Sequence, residues 1–178
     1  MSDVITPEQR HKNMAAVHSA STKPELYLRY ALWRLGFRYR VNDKRLPGRP
    51  DIVLPKYRTV VFVHGCFWHG HTDCKYYSVP KTNTDFWVAK VARNKERDQE
   101  VWRKLEALGW SVIIVWECQL KKAVWEETVS RVADEIRHNG DVFRMTQNSR
   151  QKAREEYLID RKMRKEREES VLKEVKSL

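Results

Sequence analysis

Residues 60–74 read Val60-Val61-Phe62-Val63-His64-Gly65-Cys66-Phe67-Trp68-His69-Gly70-His71-Thr72-Asp73-Cys74. The apolar run at the start predicts a buried strand. It empties into a loop that carries three of the six histidines, two of the three cysteines and an adjacent Phe-Trp pair. Side chains that bind metals or move protons are concentrated here, so the loop is the first candidate for a functional site.

Working outward, Leu46-Pro47-Gly48-Arg49-Pro50-Asp51 makes a rigid approach to a short apolar strand, Ile52-Val53-Leu54. Pro55-Lys56-Tyr57-Arg58 is a turn, and the strand of Ile52 to Leu54 should form a hairpin with that of Thr59 to Val63. Upstream, Phe37-Arg38-Tyr39-Arg40-Val41 alternates with period two and predicts a further strand. Before it, Thr22-Lys23-Pro24-Glu25 starts a helix whose apolar stripe is Leu26, Tyr30, Trp33 and Leu35, closed by Gly36.

Downstream, Asp85 caps a long helix through about Leu108, closed by Gly109, with Val88, Val91, Val101, Leu105 and Leu108 as its inner face. Trp110 to Trp116 is an apolar strand buried on both faces, with Glu117-Cys118 at its end. A helix from about Lys121 to His138 completes an α/β domain with a mixed sheet flanked by helices. The chain divides into an N-terminal arm (1–20), in which Thr6 caps a short basic helix, a domain at 21–140, and a charged extension at 141–178. The extension reads as helical or partly disordered.

The length of 178 residues allows one well-buried core. A net charge of +11 and a pI near 9.7 favour a polyanionic partner such as nucleic acid. No apolar run approaches the length of a membrane span and the first residues lack a leader pattern, so a soluble, intracellular, membrane-free protein is expected. Three cysteines cannot all pair within one chain, and two of them sit close to histidines, which suits metal ligation or free thiols better than a disulfide framework.

Cys66, His71 and Cys74 are spaced Cys-x4-His-x2-Cys, and Cys118 ends a central strand that one sheet could bring beside the loop. That set fits a structural Cys3His zinc site; the bland alternative is buried thiols and surface histidines. His69 is then free to act as a general base, or it ligates zinc in place of His71. Asp51 at a strand mouth, the main-chain carbonyl of Val63 and nearby His64 could hold magnesium at a phosphate. They could equally be a turn aspartate and a core histidine. Glu25 is a candidate second carboxylate, or simply an acid in a helix's first turn. Phe67, Trp68 and Trp87 could wedge into a base stack or pack in a core.

Leu46 to Asp51, Phe62 to His69, Phe86-Trp87, Asn94, Glu96-Arg97-Asp98, Leu108-Gly109-Trp110 and Val115 to Cys118 together resemble the very-short-patch-repair (Vsr) endonuclease family. The resemblance implies a restriction-endonuclease-like core and nicking of duplex DNA on the 5′ side of the thymine in a T:G mismatch. It implies that Asp51 and the Val63 carbonyl bind Mg2+, as two ions, with His64 orienting water or phosphate. It further makes His69 the base, with Asp98 orienting it and Glu25 nearby. Zn2+ would be held by Cys66, His71, Cys74 and Cys118, and Phe67, Trp68 and Trp87 would intercalate. A monomer in the bacterial cytoplasm, working at the nucleoid with mismatch-repair proteins, is implied as well. Two departures from the family pattern are a loop one residue longer between His71 and Cys74 and Gly70 in place of a further histidine. A related nuclease of other specificity and a non-catalytic zinc-containing DNA-binding module are the rival readings.

Overall fold

The structure, a computed structural model, describes Thr6, Glu8, Gln9, Lys12 and residues 21–176, with side chains through residue 163. Three strands form one mixed sheet: β1 (Ile52–Leu54), β2 (Thr59–His64) and β3 (Ser111–Trp116). β2 is central, antiparallel to β1 with Leu54 opposite Thr59, and parallel to β3 with Val63 opposite Val115 and His64 opposite Trp116. Helices α1 (Lys23–Arg34), α2 (Thr84–Ala107) and α3 (Trp125–Lys176) cover it.

The period of two sorts the strand residues onto two faces. Ile52, Leu54, Val61, Ile113 and Val115 pack with Leu28 and Leu32 of α1 and with Val129, Val132 and Ile136 of α3. Val53, Val60 and Phe62 pack with Leu105, Val101 and Trp102 of α2. Both faces are covered, which is why the strands read as uninterrupted apolar runs. Each fully buried Leu, Ile or Val contributes about 1.5–3 kcal/mol relative to exposure.

The hairpin turn is a single 3-10 turn, Pro55–Tyr57, followed by Arg58 at φ 51°. Arg58 is used twice more. Its guanidinium donates to the carbonyl oxygens of Leu108 (2.6 Å) and Gly109 (3.1 Å), closing the end of α2, and lies 4.3 Å from the Trp110 ring centroid. One side chain of the hairpin thus sets the entry into β3.

Several expectations are corrected. Phe37–Val41 is not a strand: Arg40 and Val53 exchange one pair of main-chain hydrogen bonds at 2.8 Å, and Asn42 then takes a positive φ that breaks the ladder. On α1 the predicted stripe faces outward, with Leu26 and Trp33 about half exposed at 51% and 52%. The buried face is instead Glu25, Leu28, Ala31 and Leu32 together with Arg29. Spacing alone permits either face, and two inward-facing charged residues disguise the true one. α2 begins at Thr84 after Asn83, not under an Asp85 cap, and Val88 and Leu108 are exposed while Val91 and Leu105 are buried.

The last helix does not stop near His138. A 3-10 turn at Glu117–Leu120 precedes α3, which then runs for 52 residues to Lys176. Thr6 and Gln9 exchange the expected capping bonds, with the Thr6 Oγ1 accepting from the Gln9 N–H at 3.2 Å. Apart from Thr6, Glu8, Gln9 and Lys12, the 1–20 arm lies outside the described residues, as do the last two residues of the extension.

Gly140 sits inside α3 where Tyr57 presses against it: a Cβ there would meet Tyr57 Cδ1 at 2.6 Å and its Cα at 3.5 Å. A helical Gly→Ala change ordinarily gains about 1 kcal/mol. Gly140→Ala is expected to lower the thermal midpoint instead, and a rise in that midpoint would show that the Tyr57 ring yields freely.

Candidate active site and metal centre

After β2 the chain folds into successive turns. The His69 N–H donates to the Gly65 carbonyl (3.2 Å), Gly70 to Phe67 (3.4 Å) and His71 to Cys66 (2.9 Å). Gly70 is buried at φ 61°, and a Cβ on it would lie 2.6 Å from Val91 Cγ1 of α2. Only glycine fits that conformation and that approach. The reversal sends His69 toward α2 and His71 toward the cysteines.

His69 Nδ1 lies 2.5 Å from Oδ2 of buried Asp98 on α2. Burial opposes ionisation of Asp98, but the hydrogen bond to His69 and its charge hold the carboxyl below its ordinary range. An ionised Asp98 only accepts, so Nδ1 carries the proton of this hydrogen bond and Nε2 is the ring nitrogen turned away from Asp98. The His64 ring stacks on His69 with centroids 3.7 Å apart and planes at 14°. Burial, and then the neighbouring His69, push His64 down to about 3, so it is neutral at physiological pH.

Asp51 faces the same end of the sheet. Its Oδ2 accepts the Val63 N–H at 2.8 Å. Burial pushes its carboxyl up to about 6; the Val63 bond opposes this and the charge of Glu25 adds to it. Glu25 accepts at Oε2 from the Ser21 N–H (2.8 Å) and Arg29 Nη2 (3.0 Å), and at Oε1 from the Thr22 N–H (3.3 Å) and hydroxyl (2.8 Å). Arg29 Nη2 also donates to the Asp51 carbonyl at 3.0 Å. Sequence reasoning passed over Arg29. The signal was the i, i+3, i+4, i+7 spacing of Glu25, Leu28, Arg29 and Leu32.

On the far side, Cys66, His71, Cys74 and Cys118 bring their donor atoms within 4.8 Å of one another. Cys66 Sγ and Cys118 Sγ each lie 3.5 Å from His71 Nδ1. A tetrahedral ion with the usual zinc bond lengths to sulfur and nitrogen needs an S···N edge of about 3.5 Å, so the donor set fits a bound metal. Burial pushes the Cys66 thiol up to about 12 and Cys118 upward as well. A cation is what would make thiolates favourable there. The His71 ring lies parallel to Trp116 at 4.1 Å, while His64 meets the same indole edge-on at 5.5 Å. Trp116 is the wall between the two clusters.

Phe67, Trp68 and Trp87 gather with ring centroids 5.2 to 6.0 Å apart, and Lys90 lies over Trp68. Asn94 Nδ2 holds the Trp68 carbonyl at 2.8 Å. All three aromatics are half-buried. The structure therefore brings every residue singled out in the sequence to one end of the sheet or to the loop and helix beside it.

A histidine–carboxylate pair beside a partly buried aspartate, on a basic chain, has the chemistry of a phosphodiester hydrolase. Comparisons with known proteins agree. The family model described as DNA mismatch endonuclease Vsr matches residues 2–76. The type II nicking enzyme V.NmeAIP of Neisseria meningitidis serogroup A is 51% identical over 138 residues, 77% of this chain and 98% of that protein. The DNA mismatch endonuclease Vsr of Escherichia coli K12 is 47% identical over 121 residues, 68% of this chain and 77% of that protein. The type II nicking enzyme V.XorIIP of Xanthomonas oryzae pv. oryzae is 47% identical over 120 residues, 67% and 88% respectively. The molecule is a DNA endonuclease of the strand-nicking class. The chain belongs to the DNA mismatch endonuclease Vsr family.

The Asp51 carboxyl has a native pKa of about 6 against an ordinary 3.8. The native state therefore holds more protons than the unfolded chain between about pH 4 and 6, and stability falls as pH rises through that window. Asp51→Asn is expected to stabilise the metal-free protein at pH 7.5 by about 1–3 kcal/mol and to flatten the slope between pH 4 and 6. Urea unfolding in chelated buffer measures both, and equal stability of the two proteins at pH 7.5 would contradict the burial argument.

Proposed function

We propose that this chain is a magnesium-dependent endonuclease that recognises a T:G mismatch, left when 5-methylcytosine deaminates, in duplex DNA. It cleaves one strand 5′ of the thymine and so starts very short patch repair. The observation that carries this reading is the His69–Asp98 pair, stacked on neutral His64 at the strand end that also bears Asp51. Membership of a mismatch-endonuclease family supports the lesion. In this reading the sheet and its helices form a restriction-endonuclease-like core at 21–140, with 1–20 as an arm and 141–178 as an extension.

Asp51 and the Val63 carbonyl would hold magnesium, and a partly buried carboxyl that ionises reluctantly gains most from such a cation. Bound magnesium supplies charge neutralisation at the scissile phosphate and the leaving 3′ oxygen. His69 Nε2 takes the proton of the attacking water, and the Asp98 carboxylate stabilises the positive ring that results. Neutral His64 orients the water or phosphate without adding a competing charge. Phe67, Trp68 and Trp87 insert into the duplex, which costs less where a mismatch has already weakened stacking.

Cys66, His71, Cys74 and Cys118 would hold zinc. Four protein donors leave no open position, so its role is structural. Among the described residues no helix is long and apolar enough to cross a membrane. We place the protein in the bacterial cytoplasm as a monomer at the nucleoid, with mismatch-repair proteins as partners.

A panel of duplexes carrying each mismatch, with either strand end-labelled, tests the reading. Nicking confined to T:G, on the thymine strand and only with a divalent ion, is expected. Asp51→Ala and His69→Ala should each reduce it by about 10²–10⁴-fold with the fold intact. Full nicking by Asp51→Ala in magnesium, or equal cutting of every duplex, would sink the assignment. Cys118→Ser should release zinc, measured by elemental analysis, and lower the thermal midpoint. A zinc-free wild type of unchanged stability would argue against a structural metal.

A further inference from the structure

Arg29 is 7% exposed, and its Nε is buried with no partner among the described residues. Placing a guanidinium there is costly, and an apolar side chain of similar volume would serve stability as well or better. Its contacts lead to the active site. Nη2 bridges Glu25 Oε2 and the Asp51 carbonyl, each at 3.0 Å, and Nη1 lies 3.4 Å from the Ser21 hydroxyl. A carboxylate offers about four acceptor positions, and Glu25 uses four: Ser21 N–H, Arg29, and the Thr22 N–H and hydroxyl. Asp51 is pinned at both ends, its carbonyl by Arg29 and its carboxylate by the Val63 N–H.

We propose that Arg29 is a positioning residue of the nicking reaction, a built-in counter-charge that clamps Glu25 and the Asp51 main chain in one geometry and keeps Glu25 off the bound cation. The inference rests on Asp51 being the magnesium carboxylate. Glu25 then acts through Arg29 and not as a ligand, and α1 aims the catalytic aspartate. Arg29's positive charge stands within electrostatic reach of Asp51 and opposes the dication that Asp51 attracts. The clamp raises the turnover rate and weakens magnesium binding together.

The test is single-turnover nicking of a T:G duplex against magnesium concentration, with the folded fraction of each protein taken from circular dichroism. Wild-type nicking in magnesium comes first, so failure of the underlying reading shows without any variant. For Arg29→Met the saturating rate per folded molecule should fall about tenfold to hundredfold, as for a misplaced catalytic group. The half-saturating magnesium concentration should fall severalfold. Arg29→Lys keeps the charge without the planar fork, so its half-saturation should stay near wild type while its rate remains reduced. The Glu25→Gln, Arg29→Met double variant leaves no unpaired buried charge; it should fold and keep the rate loss. A wild-type rate per folded molecule in the double variant, or a half-saturation in Arg29→Met that is unchanged or raised, overturns the proposal.

Discussion

The parallel pairing of β2 with β3 is the constraint on which the rest depends. The two strands come from segments about fifty residues apart, and the register sets His64 opposite Trp116. Cys118 follows two residues later, so the strand that completes the core also delivers the fourth sulfur or nitrogen donor to the loop after β2. A slip of one residue would turn Ile113 and Val115 off the α1–α3 face and carry Trp116 away from both histidine rings. Hydrophobic alternation, which is indifferent to function, thereby secures the register that function needs.

From that pairing the loop takes on two separate tasks. Left-handed Gly70 lets the histidines on either side of it part, His69 toward a carboxylate on α2 and His71 toward three thiols. The Trp116 indole stacks on one and touches the neighbour of the other, so neither cluster can shift without disturbing its face. The aromatic group of Phe67 and Trp68 lies between them in sequence and is tied to α2 by Asn94. Rigidity is shared: what holds the Cys66, His71, Cys74 and Cys118 cluster also holds the His69–Asp98 pair.

Much of this was legible in residue order because it is local or nearly so. The hairpin, the apolar strands, the Gly109 stop of α2 and the Cys-x4-His-x2-Cys spacing each declare themselves within a few residues. The opposite placement of His69 and His71 was not, since it turns on a φ angle at Gly70 and on Asp98, 29 residues away. α1 misled for a different reason. Its aromatic stripe is exposed, whereas a charged pair is buried, because the pair's partner is a carbonyl 22 residues on and no local pattern announces it. The expected end of α3 near His138 fails because the helix continues straight through Gly140, whose missing side chain leaves room for the Tyr57 ring.

The continuous α3 has a mechanical consequence. At 1.5 Å per residue its 52 residues span about 78 Å, and the sheet packs only against its first part. Residues 141–178 carry eleven basic and eight acidic side chains, so the projecting length is a nearly balanced polyampholyte. Such a rod has little net pull toward a polyelectrolyte yet dominates hydrodynamic drag. The molecule therefore tumbles anisotropically, quickly about the helix axis and slowly across it, while its electric centre of gravity stays with the globular end.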